Sequence, residues 1–179
     1  MSIRYAMVVD TRLCVSCKAC VLACKAENNV AEGHTRDWLV EQVTGEFPVL
    51  RAENRSERCN HCTNAPCVDV CPTGASHIAE GGVVLVTPDK CTGCKACMAA
   101  CPYDARYVTN DGYVDKCTFC LHRVQRGEQP ACVTVCPTRT LVFGDLNDPD
   151  SPVSELLRTR DWKVLHPESG AEPNLFFLE

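Results

Sequence analysis

Cysteine is the residue equipped for chemistry in this chain. Sixteen thiols fall into four quartets with none left over. They are Cys14/Cys17/Cys20/Cys24, Cys59/Cys62/Cys67/Cys71, Cys91/Cys94/Cys97/Cys101 and Cys117/Cys120/Cys132/Cys136, and the last three quartets end in Cys-Pro. The third, CTGCKACMAACP, has the C-x2-C-x2-C-x3-C-P spacing that ligates a [4Fe–4S] cube. Such a core exchanges single electrons with little change of geometry, because the charge spreads over metal and sulfide. Sixteen thiolates suffice for four [4Fe–4S] clusters, so the spacing points to an electron relay.

Two other uses of cysteine are weaker fits. Disulfide scaffolds need distant partners, whereas Cys-x2-Cys-x2-Cys puts three sulfurs on one tight loop where they converge. Zinc ribbons use two Cys-x2-Cys pairs, with no third cysteine two residues on and no preference for a following proline. The formal charge is -5 with every cysteine counted as neutral. Four oxidised clusters would add roughly -8, because each carries about -2 with its thiolates. Backbone N–H groups, helix N-termini and cations such as Lys18, Lys25, Lys90, Lys95 and Lys116 are the candidates to offset it. An acidic balance argues against nucleic acid as a partner. No apolar run reaches the length of a membrane span, and MSIRYAMVVD has neither an h-region nor twin arginine.

The loops must be carried by short elements. AMVVD before Cys14, GGVVLVTPD before Cys91 and GYVD before Cys117 read as strands feeding ligand loops. A helical turn is expected after each third cysteine, as in CVLACKAEN (20–28) and CMAAC (97–101). Pro72, Pro102 and Pro137 then halt it. Cys24 is followed by Lys25 instead, so the first helix should run on through Ala26 and Glu27. In the fourth motif LHRVQRGEQPA suggests a short helix closed by Gly127 and redirected by Pro130. Residues 29–58, with Trp38, Val40, Val43 and Phe47, form a mixed strand-like stretch. Asp150 or Ser151 should cap a helix around Val153–Arg160 with Pro152 in its first turn. NLFFL (174–178) reads as a packing strand, with a docking patch as the alternative.

In two-cluster ferredoxins the fourth cysteine of one run ligates the other cluster. Three sulfurs on a loop cap one face of a cube, and a second motif running the opposite way reaches the remaining corner. Motifs two and three are joined by a short link, GASHIAEGGVVLVTPDK, so motifs one and four should pair with each other. The expected sets are Cys14/Cys17/Cys20/Cys136 with Cys117/Cys120/Cys132/Cys24, and Cys59/Cys62/Cys67/Cys101 with Cys91/Cys94/Cys97/Cys71. Pairing one with two and three with four is the alternative. The fold expected is α+β, with two ferredoxin-like modules each binding two [4Fe–4S] clusters, one inserted in the other. Residues 1–50 and 104–145 make the first module, 51–103 the second, and 146–179 a C-terminal helix and packing tail.

These motifs, in this order, resemble the four-cluster iron–sulfur (B) subunits of molybdopterin oxidoreductase complexes, in particular those of polysulfide and thiosulfate reductases. The resemblance rests on CNHCTNAPCVDVCPTGA (59–75), DKCTGCKACMAACPYDARYV (89–108), DKCTFCLHR (115–123) and PACVTVCPT (130–138). It extends to FGDLNDPDSPVSELL (143–157) and LHPESGAEPNLFFL (165–178). It implies a molybdopterin-containing catalytic subunit and an integral membrane quinone-interacting subunit as partners, with this chain relaying electrons between them. It also implies a peripheral place on the cytoplasmic membrane, on the periplasmic side by co-export or, alternatively, on the cytoplasmic side. Some members of that family replace a cysteine of motif three with Trp; Cys94 is in place here, which implies four-iron centres throughout. A soluble formate dehydrogenase or hydrogenase assembly is the other home such a subunit could have.

No catalytic constellation stands out beside the thiols. His61 and His122 read as hydrogen-bonding neighbours of the clusters rather than ligands. Tyr103 and Tyr107 read as packing beside a cluster. Asp10, Asp89 and Asp115 read as turn formers.

Overall fold

The computed structural model describes residues 2–178. In chain order the elements are β1 (Tyr5–Asp10), α1 (Ala19–Glu27), β2 (Asp37–Glu46), β3 (Val49–Arg58), α2 (Pro66–Asp69), β4 (Ser76–Ile78), β5 (Val84–Val86), α3 (Ala96–Ala99), β6 (Tyr107–Val108), β7 (Val114–Asp115), α4 (Leu121–Val124), α5 (Ala131–Thr134), β8 (Leu141–Asp145), α6 (Pro152–Thr159), β9 (Trp162–Lys163) and β10 (Leu175–Leu178). Helix and strand are mixed, as α+β requires. Strands do precede Cys14, Cys91 and Cys117, and α1 does continue to Glu27 where no proline stops it. The short helices begin one residue before the third cysteine of each motif, at Ala19, Pro66, Ala96 and Ala131, and not after it. The third thiol therefore sits in the first turn, where backbone N–H groups lack helical acceptors.

Four strands form one sheet in the order β8-β1-β10-β9. β1 runs antiparallel to β8 and parallel to β10, so the chain's last strand lies beside its first. The other sheets are two-stranded: the β2–β3 hairpin, β4–β5 and β6–β7. The stretch 29–58 is thus mostly one long hairpin, in register from Asp37↔Arg58 to Glu46↔Val49.

The pleat sends alternate residues to opposite faces. Met7, Val9, Leu141, Phe143, Leu175 and Phe177 join a core that takes in cysteines from all four motifs, among them Cys20, Cys67, Cys97 and Cys132. Ala6, Val8, Phe176 and Leu178 face α6 and pack with Val153. Pro152 opens α6 as expected, but Ser151 precedes it without making a side-chain cap bond. Its hydroxyl is crowded against Gly144, where an added Cβ would lie 2.4 Å from Ser151 Oγ. The tail is packing and not a patch, since Leu175 through Leu178 are all buried. Phe177 is fully buried in the central strand. Phe177→Ala should cost about 3–5 kcal/mol, read as a lower midpoint in anaerobic denaturation of the iron-loaded protein.

Candidate metal centres

All sixteen cysteines are free thiols in this structure, none joined to another. Each motif bends its loop through the left-handed region one residue before its second cysteine, at Ser16 (φ 53), His61 (φ 45), Gly93 (φ 67) and Phe119 (φ 50). Motifs one and three repeat the device at Lys18 (φ 62) and Lys95 (φ 65). Such turns point successive N–H groups into one concavity, the nest that suits an anionic iron–sulfur core.

Two matching cavities lie among the loops. Cys14, Cys17, Cys20 and Cys136 line one. Cys71, Cys91, Cys94 and Cys97 line the other. The fourth thiols of the two sites are dressed alike. Cys136 Sγ accepts from the N–H of Thr140 at 3.3 Å and lies 3.8 Å from Thr138 Oγ1. Cys71 Sγ accepts from the N–H of Ser76 at 3.3 Å and lies 3.8 Å from Thr73 Oγ1. Burial pushes both thiols up, but these donors outweigh it and hold them below the usual thiol value. Donors that favour the thiolate are what a metal ligand needs.

The remaining eight thiols form two inner groups. Asn28 Nδ2 donates to both Cys24 Sγ at 3.7 Å and Cys120 Sγ at 3.8 Å. Cys24 also lies within electrostatic reach of Cys117 and Cys132. Burial first, then Cys59, Cys67 and Cys101, push the Cys62 thiol up to about 12. Burial likewise raises Cys117 to about 12 and Cys132 to about 11. Cys117 feels Cys59, so the two inner groups are neighbours. Cys17 and Cys94, in the two outer groups, are exposed.

Each segment that carries a third and fourth cysteine serves two groups. On α1, Cys20 lines the first cavity while Cys24 turns to Cys117, Cys120 and Cys132. α5 carries Cys132 to that inner group and leads to Cys136 at the cavity. α2 and α3 repeat the pattern with Cys67 then Cys71 and with Cys97 then Cys101. Residues four apart lie on one helix face about 6 Å apart along the axis, so one helix can touch two adjacent centres. α1 packs on α5 and α2 on α3.

The donor set fits iron–sulfur clusters. Four thiols from two motifs line each outer site and face a shared space, the arrangement that a polynuclear core needs. A lone zinc, with Zn–S near 2.3 Å, would draw four sulfurs to one point. Among the described residues no group of His, Cys, Asp or Glu closes on a single ion in that way.

The cations that meet the thiols are arginines, which the spacing of the motifs does not single out. Arg58 Nη1 donates to Cys132 Sγ at 2.9 Å, and Arg106 Nη2 donates to Cys67 Sγ at 2.8 Å. Both are buried. Arg58 adjoins Cys59 in sequence but serves a thiol of the fourth motif, so no local signal could have found it. Of the lysines expected in that role, Lys116 is buried and bonds the Cys117 carbonyl oxygen at 2.7 Å, while Lys25 bonds the Ala31 and His34 carbonyls.

The other candidates fall into place around the thiols. His61 is fully buried, stacks on Phe119 at 3.8 Å and accepts the Val84 N–H at Nδ1. Burial, then Lys116, Arg106 and Arg58, hold its pKa well below the usual imidazole value, so it stays neutral. His122 pairs with Glu27 at 2.7 Å. Tyr103 tilts against His166, and Tyr107 donates to Asp115 at 2.6 Å. Asp115 is more than a turn former, since it also forks with Arg36 at 2.8 and 3.0 Å. Asp10 likewise pairs with Arg12 and Arg160.

Comparison with known proteins points to iron–sulfur chemistry as well. A 4Fe-4S dicluster domain matches residues 50–146, and a second 4Fe-4S dicluster domain matches residues 13–76. The chain is 45% identical over 178 residues to protein NrfC of Escherichia coli K12, covering 97% of this chain and 80% of that one. It is 43% identical over 184 residues to the B chain of polysulfide reductase from Wolinella succinogenes, covering 99% and 95%. It is 40% identical over 185 residues to the B subunit of tetrathionate reductase from Salmonella typhimurium, covering 98% and 72%. The chain belongs to this 4Fe-4S dicluster family of iron–sulfur subunits, which carry electrons for reductases and are not their catalytic chains.

Proposed function

We propose that the chain carries four [4Fe–4S] clusters in a row and relays single electrons between a molybdopterin-containing catalytic subunit and a membrane quinone-interacting subunit. The ligand sets are Cys14/Cys17/Cys20/Cys136, Cys24/Cys117/Cys120/Cys132, Cys59/Cys62/Cys67/Cys101 and Cys71/Cys91/Cys94/Cys97, in that order along the row. The observation that carries the reading is the division of each motif's third and fourth thiols between adjacent groups. It favours pairing motif one with four and two with three, and so the insertion of 51–103 within a module made of 1–50 and 104–145, with 146–179 as the tail. The pairing of β1 with β8 and of β4 with β5 supports the same division.

Bound clusters supply the one-electron chemistry. The chain's own groups do the rest. Its thiolates fix the positions of the centres. The N–H groups of Thr140, Ser76, Val114 and Phe119 donate to Cys136, Cys71, Cys91 and Cys117 and spread the charge of the sulfurs. Apolar side chains keep water from the inner groups, while the exposed Cys17 and Cys94 mark two ends where electrons can enter and leave. Among the described residues no helix is long and apolar enough to cross a membrane. The place proposed for the chain is at the membrane through the membrane partner, on the periplasmic side by co-export or, alternatively, on the cytoplasmic side.

Metal analysis of anaerobically purified chain tests the reading. About sixteen irons with matching acid-labile sulfide are expected, four per centre. Zinc without iron would end it. Reduction by a quinol when the chain is purified with its partners, and its absence in the chain alone, would support the membrane route over a soluble assembly.

A further inference from the structure

The two inner thiol groups are built to one plan but differ in the charges around it. In each, a buried guanidinium donates to the third thiol of a motif: Arg58 to Cys132 at 2.9 Å, Arg106 to Cys67 at 2.8 Å. In each, the same guanidinium also donates to a serine hydroxyl, Ser56 for Arg58 and Ser76 for Arg106. Asp37 breaks the symmetry. It faces Arg58 across the hairpin register, 1% exposed, with its carboxylate 3.8 Å from the guanidinium and beside Cys24. Among the described residues no carboxylate pairs with Arg106, and the buried Lys116 adds a second positive charge felt at Cys67.

Asp37 is a costly residue to keep for stability alone. No donor meets its oxygens at hydrogen-bonding geometry. A buried carboxylate so poorly solvated is often no better for stability than a neutral group of its size. Its field, however, is hardly screened inside the protein, and a negative charge beside a redox centre disfavours the incoming electron.

We propose that Asp37 sets the reduction potential of the centre at Cys24/Cys117/Cys120/Cys132 below that of its neighbour at Cys59/Cys62/Cys67/Cys101. The row then has a step within it, created by one hairpin residue that touches no iron. This rests on the four-cluster reading above. The two can fail separately, because a chain without iron gives no signals, whereas a wrong role for Asp37 leaves signals that do not move.

The test is a potentiometric titration of the iron-loaded full chain followed by paramagnetic resonance. Asp37→Asn should move one reduction wave upward and leave three in place. At that wave's original midpoint the reduced-to-oxidised ratio should rise about tenfold, equivalent to about 59 mV for one electron. Arg106→Gln should move a different wave downward, and in the unaltered chain that wave should be the higher of the two. Asp37→Glu keeps the charge and should keep the potential. Asp37→Ser carries the same test should Asn lower iron occupancy. Unmoved waves in both neutral variants, one wave responding to both Asp37 and Arg106 changes, or the Asp37-sensitive wave lying above the other would each overturn the proposal.

Discussion

Cys136→Ser should abolish the native signal of the centre capped by Cys14, Cys17 and Cys20 and spare the one capped by Cys117, Cys120 and Cys132. The expectation runs against sequence proximity, since Cys132 and Cys136 are four residues apart on one short segment. It follows from where α5 delivers them. Cys132 is held at the inner group by Arg58, while Cys136 lies beyond the helix in the cavity with the first-motif thiols. Replacing that thiol removes one iron ligand and also the sulfur that the Thr140 N–H and Thr138 hydroxyl serve. The signal lost on reduction should match the one lost in Cys17→Ser and differ from the one lost in Cys120→Ser. A match to Cys120→Ser instead would show that each motif closes its own centre and would remove the basis for the inserted-module arrangement.

Extracting the iron should unfold the chain. Burial holds Cys62 and Cys117 near 12 and Cys132 near 11, so without metal these thiols take up protons. Arg106 would then be a buried cation facing neutral sulfur, and Arg58 would keep only Asp37, at 3.8 Å. Breaking a buried pair by removing the anion costs about 3–5 kcal/mol, a large part of the stability of a domain, typically about 5–15 kcal/mol. The β8-β1-β10-β9 sheet and its apolar faces are too small a core to offset that. Far-ultraviolet circular dichroism after anaerobic chelation should fall toward the unfolded value and recover with iron and sulfide. A cooperative thermal transition surviving in iron-free protein would contradict this account.

Other parts of the fold were less legible than the thiols. The β2–β3 hairpin lacks a clean alternation, because its outer half is exposed on both faces and carries mixed side chains. Nothing in a half-polar segment announces that its first and last residues, Asp37 and Arg58, are among the most buried in the molecule. The strands before motifs one, three and four and the prolines closing motifs two, three and four were readable, though not the start of each helix, because β-branched runs and prolines act on their immediate neighbours. Asp115 was readable only as a turn former, since its partner Arg36 lies 79 residues away.

The amino-acid sequence by itself determined the thiol inventory and the iron–sulfur chemistry that it suits. A spacing of two or three residues fixes which sulfurs share a loop, and that is a matter of local sterics. The tertiary structure alone decided which charges the thiols meet. Arg58 reaches a sulfur 74 residues away and Arg106 one 39 residues away, contacts that exist only once the chain has folded around its buried groups. Electrostatic energies depend on through-space distance and on exclusion of water, and neither is written in the separation of residues along the chain.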